Sequence, residues 1–160
     1  MFAILCTAVL RLASDFNLEH ESSFHRFQVC VEVAAEAESW GVDPALAVAV
    51  AYEESRFDLN ARSSAGAHGV LQVIPRYWCP RGRLRGCNLL VAGIKALDHY
   101  TTRFDRLPVA LARYNGGEFH PSSRSYWYVN RVISLYENLQ PFMEADYRLS
   151  GVIEEVLSEF

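Results

Sequence analysis

The chain has 160 residues, the size of one domain with a single core. Hydrophobic residues make up 51% and charged residues 21%, which excludes a disordered or collagen-like chain. Fifteen Lys and Arg against nineteen Asp and Glu leave a formal net charge of −4, the wrong sign for a protein that coats nucleic acid.

The first ten residues, Met1 to Leu10, are almost wholly apolar before Arg11 interrupts. That run is far short of the ~20 residues that span a bilayer. It could be the apolar part of a signal peptide, but no Lys or Arg precedes it and no convincing small-x-small site follows. Residues 1–16 read as a short helix docked on the domain's own core or on a partner in a larger assembly. We therefore set off 1–22 as an N-terminal docking segment.

From 24 to 40 the apolar residues Phe24, Phe27, Val31, Ala34, Ala35 and Trp40 recur every three to four positions, which predicts an amphipathic helix. Ser22 or Ser23 can cap it, and Gly41 can end it. Asp43-Pro44 restarts a helix with an N-cap and a proline in its first turn. Its body, 45–52, is apolar all round, so it belongs at the centre of the molecule.

Further helices are predicted over 88–104, 108–115 and 122–139. The stretches 56–69, 75–87 and 115–121 hold most of the Gly, Pro, Asn and Ser and read as loops. After Pro141 the tail, with an amphipathic stretch near 150–157, is either a last helix or a partner-binding segment. Strand signals are scarce. The expected fold class is mainly α, a compact helical domain around a central buried helix with little or no sheet. The main domain covers 23–140, and 141–160 form a C-terminal extension.

Cysteines stand at 6, 30, 79 and 87 without C-x2-C spacing or a nearby His, so no zinc site or other metal is expected. Cys79 and Cys87 bracket a short loop, and a disulfide between them would suit an oxidising compartment. Cys30 lies in the helical stripe and reads as an inert core thiol. Cys6 is left open.

The chemistry is expected at Glu53-Glu54-Ser55, the end of the central helix. Desolvating a carboxylate is expensive, and the helix C-terminus is the negative end of the macrodipole. Both effects favour the protonated acid, the form a general acid for glycoside cleavage requires. Leu46, Val50 and Glu54 stack at i, i+4 and i+8, so Glu54 extends a core-facing row while Glu53 points about 100° away. Read from the residues alone, both carboxylates fit a solvated helix end equally well.

Residues 54–75 decide between these readings. The order Glu54-Ser55, Phe57, Asn60-Ala61, Ser63, Gly66-Ala67, Gly69, Gln72 and Pro75 resembles the signature of the soluble lytic transglycosylases, a branch of the lysozyme-like superfamily. Asn88 to Gly93, Ala112-Arg-Tyr-Asn-Gly116, and Tyr128-Val129 with Arg131-Val132 resemble three further blocks of that family, in the same order. The resemblance covers roughly 40–135. Val70 and Leu71 stand where the family has Leu-Met, and the arginine-rich loop at 79–87 and both termini lie outside the pattern.

The resemblance implies a lysozyme-like fold and peptidoglycan as substrate, cut at the β-1,4 bond between N-acetylmuramic acid and N-acetylglucosamine. It implies one catalytic carboxylate, Glu54, acting first as acid and then as base, with a 1,6-anhydro product and no cofactor. Ser63, Gln72, Tyr114, Asn115 and Tyr128 map to substrate-binding positions, with Tyr128 close enough to orient Glu54. Glu53, Asp58 and Glu118 are the spare carboxylates nearby, each read as structural, and His68 is read as a loop residue. The leading alternative is the same site acting as a muramidase, with water intercepting the intermediate; a second carboxylate across the cleft, a part left open for Glu118, would give an inverting hydrolase. A third reading is a glycan-binding structural component of a virion or envelope assembly.

Arg76, Arg81, Arg83 and Arg85 crowd one stretch without an acidic residue. They read as a solvated loop or as an attractor for an anionic wall polymer. The expected setting is virion-associated, acting in the periplasm or cell wall during phage DNA entry, with a periplasmic enzyme as the alternative. Partners in such an assembly would be met through 1–16 and 141–160. No specific nucleic-acid binding and no membrane span are expected.

Overall fold

Asp43 sets the first fixed point. Its side chain accepts hydrogen bonds from the backbone N–H groups of Ala45 (2.8 Å) and Leu46 (3.3 Å). With Pro44 in the first turn, this starts the central helix where the sequence predicts it. The computed structural model describes residues 1–12, 21–117 and 123–158. Among these are seven α-helices: α1 Ala3–Leu12, α2 Glu21–Ser39, α3 Pro44–Ser55, α4 Pro75–Trp78, α5 Leu89–Arg103, α6 Leu107–Gly116 and α7 Ser123–Ser158. A 3-10 turn at Pro80–Gly82 follows α4. Extended pairing among the described residues is confined to isolated bridges, Arg62 with His68 and His68 with Val73. The fold is mainly α, as expected.

Every residue of α3 from Pro44 to Tyr52 is buried. The helix lies between α2 and α7, with α6 against α7 and α5 against α6. Asp43 also ties α3 to α7, since Tyr136 Oη donates to its second carboxylate oxygen at 2.6 Å. The domain's central helix is thereby fixed at its start before its far end presents any chemistry.

α1 packs on this same core, against α7, α2 and α3. Leu5, Cys6, Val9 and Leu10 are fully or almost fully buried. Asp146 of α7, itself buried, accepts from the backbone N–H groups of Ile4 (3.2 Å) and Leu5 (2.8 Å). A carboxylate at those free donors also meets the positive end of the α1 dipole.

Two sequence expectations are corrected. Cys30 is not a free thiol: it is bonded to Cys6, because α1 lies against α2 and brings the two together. Nor does the last helix end near 139. α7 runs 36 residues and passes through Pro141. A proline inside a helix costs about 3 kcal/mol. Here Pro141 is exposed while Leu139, Met143 and Asp146 are buried on the packed face, so contacts on both sides hold the helix together. In the loop expected at 75–87, α4 and the 3-10 turn form single turns, and Cys79 and Cys87 are joined by a disulfide.

Candidate active site

The backbone reverses sharply where α3 ends. Arg56 (φ 54°) and Phe57 (φ 63°) are both in the left-handed region, unusual for residues with side chains. The reversal drops Phe57 into the core, where it is fully buried with its ring 5.9 Å from that of Tyr52. Ser55 Oγ donates to the Val70 carbonyl at 2.9 Å, fastening the end of α3 to the following loop. Glu54 is thus held at a rigid helix terminus.

Burial pushes the Glu54 carboxyl up to about 7, and the neighbouring charge of Glu53 acts in the same direction. Proximity of the Tyr128 hydroxyl offsets part of that rise. That hydroxyl is buried and makes no hydrogen bond of good geometry within the protein, so it is a donor held ready beside the acid. Tyr114 and Tyr128 are themselves pushed well above the usual phenol value, first by burial and then by the Glu54 charge. Both stay neutral donors at any physiological pH.

The structure brings Glu54, Tyr114 and Tyr128 together, with Asn115 at the rim. Asn115, Tyr128, Glu53, Trp127 and Arg131 line a hollow of about 420 Å³. A second, of about 690 Å³, continues from Glu53, Trp127 and Arg131 along α7 to Leu12. Gln72 and Ser63 are bracing groups in the loop. Gln72 Nε2 donates to the carbonyls of Gly69 (2.9 Å) and Ala61 (3.3 Å), and its φ of 47° marks a tight turn. Ser63 Oγ accepts from the Ala67 N–H at 3.0 Å and closes an exposed turn.

Of the spare carboxylates, Glu53 forms an ion pair with Arg131 at 2.8 Å. Asp58 is exposed and accepts from the Asn60 N–H at 2.8 Å. Glu118 lies outside the described residues. His68 is a loop residue, paired through its backbone with Val73. Sequence reasoning missed the Glu53–Arg131 pair and the 75% exposed Trp127. The available signal was Arg131, which stands in the last matching sequence block. Among the described residues no group of three or more His, Cys, Asp and Glu is placed to hold a metal ion.

A half-buried acid near neutrality at the end of a central helix, beside two neutral phenols of which Tyr128 reaches an open hollow, is equipment for cleaving a glycosidic bond. A family model of the transglycosylase SLT domain matches residues 32–125, more than half of the chain. The chain belongs to this family of lysozyme-like enzymes and is a peptidoglycan lytic transglycosylase. No helix among the described residues is long and apolar enough to cross a membrane.

Proposed function

We propose that Glu54 is the single acid and base of the reaction. The observation that carries this is its place, half-buried in the last turn of the buried central helix, where burial pushes the carboxyl up to about 7. As the acid it protonates the glycosidic oxygen between N-acetylmuramic acid and N-acetylglucosamine while the C1–O bond breaks. The substrate's own 2-acetamido group shares the positive charge developing at C1. Glu54, now a carboxylate, takes the proton of the C6 hydroxyl, and O6 closes on C1. The product is a 1,6-anhydro end, and no water is consumed.

Among the described residues, the surroundings support one carboxylate rather than two. An inverting hydrolase needs a second carboxylate across the bond, about 6.5–9.5 Å from the first. Glu53 shares a helix with Glu54 and is held in an ion pair by Arg131, and Asp58 is engaged in its own turn. The Tyr128 hydroxyl, a buried donor without a partner among the described residues of the free protein, turns to Glu54 and steadies it through both steps. Asn115 offers its amide to the sugar at the rim, while Gln72, Ser63 and Tyr114 brace the loop that follows Glu54.

Cleavage in water enriched in ¹⁸O tests this directly. The anhydro product carries no solvent oxygen, whereas a muramidase places one ¹⁸O at each new reducing end.

The two disulfides support a working place outside the reducing cytosol, at the cell wall. For the setting we propose carriage in a virion, with docking to its other proteins through the exposed apolar residues at the end of α7, Leu149, Val152, Ile153 and Leu157. Mass spectrometry of purified particles tests it, and finding the chain only among free periplasmic proteins overturns it.

A further inference from the structure

Residues 59–97 contain Arg62, Arg76, Arg81, Arg83, Arg85 and Lys95 and no Asp or Glu, so the other nine bases face all nineteen acids. A chain that is acidic overall thus keeps one strongly cationic stretch. Lys95 is turned away over the Trp40 ring, 4.9 Å from its centre. Arg76, Arg81, Arg83 and Arg85 are all exposed, and none forms an ion pair among the described residues. The Cys79–Cys87 disulfide closes the loop bearing the last three, which limits the conformations they can spread over.

This loop is joined to the candidate active site by a row of rings. Tyr114, which feels the Glu54 charge, has its ring 6.2 Å from Tyr100. Tyr100 lies 6.0 Å from Trp78, the residue immediately before Cys79. All three are half-buried. Ring faces suit the apolar C–H faces of pyranose sugars, and guanidinium groups suit carboxylates. Peptidoglycan presents both on one strand: a sugar backbone, and stem peptides ending in and branching with carboxylates.

We propose that the disulfide-closed arginine loop is a subsite for the anionic stem peptides of the glycan strand being cut, reached from Glu54 along the Tyr114–Tyr100–Trp78 row. The inference rests on the reading of the chain as a peptidoglycan-cleaving enzyme. It adds a preference for peptide-bearing over bare glycan.

The test measures binding in a Glu54→Gln background, so that the substrate is not consumed. One material is sacculi with intact stem peptides and no attached phosphate polymer; the other is the same glycan stripped of peptide by an amidase. Reversing three exposed charges with Arg81→Glu, Arg83→Glu and Arg85→Glu should weaken sacculus binding about tenfold, given that each exposed pair contributes modestly. Affinity for bare glycan should stay within about twofold by the same reasoning. The matching Lys variants should bind sacculi like the wild type, and raising salt should erase the preference for peptide-bearing material. Equal losses on both materials, or no loss on sacculi, would overturn the inference. Binding that requires phosphate-rich wall polymer instead of peptide would overturn it too. Absence of affinity for both materials in the starting protein would overturn the enzymatic reading itself, and the inference with it.

Discussion

The Tyr114 hydroxyl donates to the Leu71 carbonyl at 2.7 Å, tying α6 to the loop that carries Gln72. Leu71 is in turn wedged against Gly93 of α5, where an added Cβ would sit 2.5 Å from the Leu71 Cβ. The close approach of α5 to the loop therefore requires glycine, which is why one stands in the Asn88–Gly93 block.

Gly93→Ala should push Leu71 outward and loosen the Tyr114 bond. Helix propensity favours the alanine by up to ~1 kcal/mol, but overpacking a core typically costs about 1–3 kcal/mol. The expected result is a net loss of stability in urea unfolding together with reduced turnover. A variant as stable and as active as the wild type would contradict this packing account.

The two neighbours of Glu54 should move its titration in opposite directions. Glu53 raises the Glu54 value by charge repulsion, so Glu53→Gln should shift the alkaline limb of the pH–rate profile below pH 7. The nearby Tyr128 hydroxyl lowers it, so Tyr128→Phe should shift the limb upward. Because the Tyr128 hydroxyl is buried without a good partner, its removal should leave stability unchanged or improved while turnover falls. Parallel shifts in the two variants would refute the assignment.

Glu54 should also cost the fold stability above neutral pH. Its folded value is raised from 4.5 to about 7, so the folded state binds more protons between those values and stability falls as pH rises through that window. By about one unit above pH 7 the loss is nearly complete, on the order of 3 kcal/mol. Glu54→Gln, which carries no charge, should therefore be clearly more stable than the wild type at pH 8 and little different near pH 4.5. Urea midpoints of both proteins at the two pH values measure this; an equal gap at both would count against a buried, perturbed acid.

Replacing Cys6 and Cys30 together by Ala should lower stability by about 3 kcal/mol, the usual scale for closing a loop of a few tens of residues. Asp146 still holds the start of α1, so the helix should stay docked and activity should persist. An unchanged urea midpoint would show that this bridge does not constrain the chain.

What the sequence made legible was local. Asp43-Pro44 marks the start of α3 through backbone chemistry within four residues, and the all-apolar 45–52 run announces burial without reference to any partner. Glu54 could be singled out because its helix, its terminus and its motif all lie in one short stretch. The Cys6–Cys30 bond and the Glu53–Arg131 pair were not legible, since each depends on how distant helices are laid side by side. Pro141 misled for a related reason. Its local preference is to end a helix, and only the burial of Leu139 and Met143 on the packed face overrides it. Ser63 and Gln72 carry the right motif positions, but their bracing bonds to Ala67, Ala61 and Gly69 emerge only from the folded loop.

The most direct test of the central claim is mass spectrometry of muropeptides released from purified sacculi by the wild type and by Glu54→Gln. General acid–base catalysis typically contributes about 10²–10⁴-fold, so the variant should be nearly silent while still binding sacculi. The account expects anhydro-muropeptides from the wild type alone. Comparable release by Glu54→Gln, or reducing-end products from the wild type, would contradict it.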